Sequence, residues 1–149
     1  MKLSTRGRYG LKAMVDLSVE YGRGRLAVSA LAEKQGISDA YLEQLIGVLK
    51  RAGLVRSSRG AQGGYTLSRP PEQISVEEVL RALEGTTDLI DCVGVDSVDC
   101  ESACSCSARP LWLKLQSRIN EVLKTTTLKD MADDYTVQKR RNENEENLS

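Results

Sequence analysis

Histidine is absent from the 149-residue chain, and so is phenylalanine. Without an imidazole, Ser-His-Asp and Cys-His catalysis and the HExxH metalloproteases are excluded. Zinc sites with a histidine ligand are excluded on the same ground. One tryptophan and five tyrosines offer little for stacking on single-stranded nucleic acid. No apolar run approaches the roughly 20 residues of a membrane span. The basic start Met1-Lys2-Leu3-Ser4-Thr5-Arg6-Gly7-Arg8 is not followed by the apolar segment of a signal peptide. A soluble, cytoplasmic protein without a membrane partner is expected.

What is present divides into two halves. Residues 1–70 carry 12 Lys and Arg against 5 Asp and Glu, whereas residues 71–149 carry 9 against 16. The balanced total therefore conceals a basic half suited to a phosphate backbone and an acidic half with another task.

The order of elements is legible from caps and periodicity. A helix over about 4–21 carries Leu11, Met14, Val15 and Val19 at helical spacing, widened by Leu17 and Tyr21. Gly7 and Gly10 weaken its start. Ser29 reads as the N-cap of a two-turn helix that Gly36 ends. Ser38 caps the next helix, about 39–52, whose apolar face is Leu42, Leu45, Ile46 and Leu49. Two helices across a tight Gly turn form a helix-turn-helix. Strands at 54–58 and 65–67, joined by Arg59-Gly60-Ala61-Gln62-Gly63-Gly64, add a wing. Ser75-x-x-Glu78 is a capping box opening a helix with Val76, Val79, Leu80 and Leu83. Residues 86–107 show no amphipathic period, and a loop of that length implies function or an organising ligand. Pro110 opens a long helix, about 109–124. Thr127 caps a last short helix through Met131, and the polar stretch from Asp133 reads as a disordered tail.

The fold expected is thus mainly α. A winged helix-turn-helix DNA-binding domain with a two-stranded wing spans 1–85. A cysteine-rich loop follows at 86–107. A long C-terminal dimerisation helix and a short terminal helix occupy 108–132, and 133–149 form the tail. In a winged helix the start of the second helix enters the major groove. Ser38, Asp39, Ala40, Tyr41, Glu43 and Gln44 are the candidate base readers, since Gln can pair with adenine and Glu or Asp can accept from the cytosine amino group. Lys50, Arg51 and Arg56 suit phosphates, and Arg59 at the Gly-rich wing tip suits a narrow minor groove. The alternative, a winged helix that docks protein, is weighed down by the positive charge of this half.

All four cysteines lie within 15 residues, as Cys92-x7-Cys100-x3-Cys104-x1-Cys106. In an intracellular chain such a cluster points to metal or redox chemistry before structural disulfides. Only Cys100 to Cys104 has zinc-pair spacing, while iron–sulfur clusters tolerate more varied spacing. Asp88, Asp91, Asp96, Asp99 and Glu101 would raise free-thiol pKa values, which disfavours reactive thiols. A bound metal's own charge offsets that effect. Structural zinc and a thiol switch stay open beside an iron–sulfur cluster. A thiol-redox enzyme is disfavoured by the missing C-x-x-C.

The long helix carries Leu111, Leu115, Ile119 and Val122 on one side, with Trp112 and Leu123 beside them. Such a stripe must be covered, either by the chain's own N-terminal half or by the same helix of a second subunit. The second is favoured, because helix-turn-helix proteins read near-palindromes as two-fold dimers.

Met1-Lys2-Leu3-Ser4-Thr5-Arg6-Gly7-Arg8-Tyr9, Gly36-Ile37-Ser38, Tyr41-Leu42-Glu43-Gln44-Leu45 and Arg59-Gly60-Ala61-Gln62-Gly63-Gly64-Tyr65 together resemble the Rrf2 family of bacterial transcriptional regulators. The resemblance runs from residue 1 to about 132. It implies a homodimer that binds double-stranded promoter DNA and holds a [2Fe–2S] cluster, controlling genes of iron–sulfur cluster assembly. It implies that Glu43 discriminates promoter classes and that Arg59 contacts the minor groove. Cluster-binding members carry three cysteines and a histidine. Aligning Leu111-Trp112 with the family's Leu-Trp pair implies Cys92, Cys100 and Cys106 as ligands. The histidine position falls on Arg109, which cannot ligate, and Cys104 is the substitute.

Overall fold

The computed structural model describes residues 3–58, 63–87 and 106–148. Its elements run α1 Thr5–Val19, α2 Val28–Gln35, α3 Asp39–Arg51, β1 Val55–Ser58, β2 Gly64–Leu67, α4 Val76–Glu84, α5 Arg109–Thr125 and α6 Leu128–Leu148, with a 3-10 turn at Pro71–Gln73. The expected winged helix-turn-helix is there, and helices dominate.

α1 starts where the sequence left its start uncertain. The Ser4 hydroxyl accepts from Gly7 N at 3.2 Å and donates to the Glu84 carboxylate at the end of α4. The two weak helix formers are explained by close approach. A Cβ on Gly10 would lie 2.4 Å from Leu83 Cδ1, and one on Gly7 would strike the Glu84 carboxylate. Helix propensity is given up so that α1 and α4 can touch.

The helix-turn-helix follows from its caps. Gly36 sits at φ 67° beyond α2, and the Ser38 side chain accepts from Tyr41 N. α2 begins one residue before the expected Ser29 cap and has no side-chain cap. Its start is set by tertiary pairing instead. Leu26 N donates to Tyr65 O at 3.1 Å, and Tyr65 N donates to Leu26 O at 2.9 Å, which fixes the chain just ahead of the helix. The wing is antiparallel with Val55 opposite Leu67 and Ser58 opposite Gly64.

α4 opens with the capping box. Glu78 N donates to Ser75 Oγ at 3.2 Å, and Ser75 N donates to Glu78 Oε2 at 2.9 Å. Met14, Leu31, Leu42, Ile46, Leu49, Leu67, Ile74, Val79 and Leu128 are fully buried in one core. Leu128 belongs to α6, so the C-terminal helices are built onto the winged helix rather than hung from it. Backbone bonds from Val76 N to Thr126 O (2.9 Å) and Leu128 N to Ile74 O (3.0 Å) tie the α5–α6 turn to the entrance of α4.

The expected disordered tail from Asp133 is corrected: α6 continues unbroken to Leu148. Thr127 caps it as expected, with Asp130 N donating to Thr127 Oγ1 at 3.1 Å and Thr127 N to Asp130 Oδ2 at 3.0 Å. Leu128 and Ala132 are buried and Tyr135 is half-buried, an i, i+4, i+7 stripe laid on α1. The interleaved Asp133 and Asp134 hide that short stripe in the sequence. Beyond it the chain holds no Gly or Pro, and Gln, Lys, Arg and Glu sustain a helix well.

Candidate nucleic-acid interface

The buried side of α3, Leu42, Leu45, Ile46 and Leu49, fixes what its other side presents. Ser38, Asp39, Ala40, Glu43, Gln44 and Arg51 are exposed. Among the described residues, the side chains of Asp39, Glu43, Gln44 and Arg51 have no hydrogen-bond or ion-pair partner. These groups are therefore available to an external ligand at no cost in broken contacts. Tyr41 departs from this set. It is half-buried against the core, its ring edge-on to Tyr9 with centroids 6.4 Å apart and planes at 86°. Packing therefore takes part of its ring away from the exposed face of α3.

Two cations escaped the sequence reading. Arg6 on α1 lines one recess with Tyr41, Glu43, Gln44, Gly47 and Arg51, so a guanidinium flanks the exposed Glu43 and Gln44. The basic N-terminus was legible, but only as a targeting question. Arg25 Nη1 donates to Ser58 Oγ at 3.1 Å at the root of the wing. Lys50 Nζ donates to Ser57 Oγ at 3.2 Å, which fixes α3 against β1, and Arg56 is exposed between them. Cations thus border the α3 face on two sides, an arrangement suited to a duplex backbone. Arg59, the wing-tip candidate, lies outside the described residues.

Of the four cysteines, Cys106 lies among the described residues. Cys92, Cys100 and Cys104 lie outside the described residues. Cys106 is an exposed free thiol, held in the turn into α5, where its carbonyl accepts from Arg109 N at 3.3 Å. A thiol here is open to a ligand. A set of four thiolates suits iron–sulfur or zinc coordination, and the chain has no nitrogen ligand of the imidazole kind.

α5 packs on α4, and Trp112, Ile119 and Leu123 are its half-buried apolar residues. Its single buried residue is Gln116. Gln116 Nε2 donates to Thr87 O at 3.2 Å and to Asn120 Oδ1 at 2.8 Å. Leu111, Leu115 and Val122 of the expected stripe are 53%, 39% and 60% exposed, and Leu113 is exposed beside them. The described residues of the winged helix do not cover this face. No helix among the described residues is long and apolar enough to cross a membrane.

Comparison with known proteins agrees with this architecture. The Rrf2 family, described as iron-dependent transcriptional regulators, matches residues 3–134. CymR of Bacillus subtilis is 40% identical over 132 residues, which covers 89% of this chain and 90% of that protein. The solved structure of that global cysteine regulator superposes with a TM-score of 0.76 at 38% identity, covering 89% of this chain and 97% of the other. IscR of Aliivibrio salmonicida is 38% identical over 138 residues, covering 93% of this chain and 81% of that protein. The solved structure of T. potens IscR gives a TM-score of 0.73 at 43% identity, covering 91% of this chain and 88% of the other.

Proposed function

Since the chain belongs to the Rrf2 family of winged-helix transcriptional regulators, we propose that it acts as a homodimer whose promoter binding responds to a [2Fe–2S] cluster held by its cysteine loop. The observation that carries the DNA-binding part is the unpaired Asp39, Glu43 and Gln44 face between cations. Glu43 and Gln44 read bases in the major groove. Arg6, Arg51 and Arg56 hold phosphates, and Arg59 serves the minor groove.

The dimer reading rests on α5. Leu111, Leu115 and Val122 form an apolar face that water would otherwise cover, and the same helix of a second copy is the occupant a two-fold regulator supplies. Two winged helices fixed in this way match a near-palindrome with half-sites about 34–36 Å apart, or a multiple of that.

Cys92, Cys100 and Cys106 would hold the cluster, with Cys104 in the place of the missing histidine. The cluster supplies a one-electron redox centre whose presence depends on iron and sulfide. Regulation of genes for iron–sulfur assembly is the matching physiological role, and likeness to IscR supports it. A second reading is favoured by the equal likeness to CymR, described as a global cysteine regulator. In it the same loop acts as a metal-free thiol switch.

Selection from a random duplex library with metal-loaded and metal-free protein tests the proposal. A near-palindrome enriched by a dimer, with affinity that differs between the two forms, is the expected result. Identical selection and affinity in both forms overturns the cluster response and leaves the DNA reader.

A further inference from the structure

The exposed apolar strip of α5 has a charged member. Leu111, Leu115, Arg118 and Val122 are spaced 4, 3 and 4 residues apart, so at 3.6 residues per turn they share about 60° of the helix circumference. That spacing is the seam of two paired helices. Arg118 therefore stands inside the strip rather than beside it. Its side chain is 72% exposed, and its Nη1 donates to Glu121 Oε2 at 3.3 Å. Lys114 and Glu121 flank the strip on one edge, both exposed. Lys114 has no hydrogen-bond or ion-pair partner among the described residues.

A charge inside a seam costs stability and restricts how two helices can pair. In a parallel pair equivalent residues face each other, which sets Arg118 against the partner's Arg118. An antiparallel pair centred between Gln116 and Ser117 behaves differently. Leu111 then meets the partner's Val122, and Leu115 meets the partner's Arg118. The methylene stem of that arginine lies along Leu115 while its guanidinium stays in water. The same register sets Lys114 opposite the partner's Glu121, and two-fold symmetry repeats the contact. One alignment thus satisfies both the seam and its charged flank.

We propose that α5 pairs with α5 of a second copy in this antiparallel register, and that Lys114 and Glu121 are the residues that select it. The inference rests on the dimer reading above and adds the orientation of the pair and its determinants. α5 packs on α4, and α4 packs on α1 and α3. The orientation of the α5 pair therefore fixes how the two α3 faces stand relative to one another.

The test is charge exchange in the full chain, read by sedimentation velocity over a dilution series at low salt. Lys114→Glu sets two glutamates together at each of the two symmetric contacts, and Glu121→Lys sets two lysines together. Each should weaken association about tenfold, because two exposed pairs turn from attractive to repulsive at once. The deficit should shrink in high salt. The double variant Lys114→Glu/Glu121→Lys should recover most of the unsubstituted affinity. An equimolar mixture of the two single variants should form the heterodimer in preference to either homodimer, as native mass spectrometry reads directly. Within one chain positions 114 and 121 are two turns, about 10 Å, apart along the helix. Rescue by the double variant or by mixing therefore requires contact with a second chain. A double variant no tighter than the single ones, single variants with unsubstituted affinity, or statistical mixing overturns this inference and leaves the dimer. An unsubstituted protein that stays monomeric at every concentration overturns the dimer reading together with it.

Discussion

The ammonium of Lys34 on α2 lies 2.5 Å from Asp16 Oδ1 on α1 and 5.0 Å from the ring centroid of Tyr135 on α6. One side chain thus ties the first helix of the helix-turn-helix to the core helix and to the C-terminal helix. Burial lowers the Lys34 pKa, but the hydrogen bonds and charge of Asp16 and Tyr135 outweigh it, and the net shift is upward.

A group whose pKa rises on folding adds stability below its unfolded value. That contribution is lost as pH climbs through the folded value. Lys34→Met should therefore destabilise the protein at neutral pH by about 0.5–1 kcal/mol, a small figure because the ammonium is half-exposed and screened. The difference from the unsubstituted protein should persist up to the ordinary lysine value of 10.5 and shrink above it. Urea denaturation across that range reads the difference directly.

Two glycines predict opposite signs for one substitution. Gly10→Ala places a Cβ 2.4 Å from buried Leu83 Cδ1, whereas on Gly47 of α3 the nearest atom is 3.8 Å away. Gly10→Ala should cost about 1–3 kcal/mol through overpacking. Gly47→Ala should stabilise by up to about 1 kcal/mol through helix propensity. Equal effects in thermal or denaturant unfolding would remove close α1–α4 contact as the reason for Gly10.

Leu115→Glu and Val122→Asp should convert dimer to monomer, weakening association on the order of 100-fold or more, as loss of an interface anchor does. Both positions are exposed within one chain, so the unfolding of the isolated subunit should change little. Sedimentation velocity over a dilution series separates the two forms. A dimer that persists at the unsubstituted affinity would place the interface elsewhere.

The proposed DNA face assigns its residues different roles. Arg6→Ala and Arg51→Ala should weaken binding evenly across sequences, each reducing the salt slope by about 0.9 if it neutralises one phosphate. Arg59→Ala should weaken sites with A·T-rich flanks most. Glu43→Ala should change which base is preferred at one position. Uniform loss for Glu43→Ala, with an unchanged preference, would remove it from the reading set.

The winged helix was readable because its signals are local. Ser38, Ser75 and Thr127 cap where a cap was expected, and Gly22, Gly36, Gly53 and Gly85 take the positive φ that ends a helix. What was misread depends on distant partners. The start of α2 is set by Leu26 pairing with Tyr65 across the wing, against the local pull of Ser29. α6 is a full helix because Leu128, Ala132 and Tyr135 find α1, a stripe too sparse to stand out among acids. Gln116 gave no signal at all, since an amide in an amphipathic helix reads as a solvent-facing residue until its acceptor is known. The α5 stripe was legible as apolar, and among the described residues nothing covers its Leu111, Leu115 and Val122.

The central claim is the cluster, and the spectrum of anaerobically purified protein with iron, sulfide and zinc analysis tests it most directly. The account predicts visible charge-transfer bands and about two iron and two sulfide per chain. It predicts loss of both in Cys92→Ala, Cys100→Ala and Cys106→Ala, and a weaker or spectrally shifted centre in Cys104→Ala. A colourless protein holding stoichiometric zinc, or four reduced thiols and no metal, would contradict it.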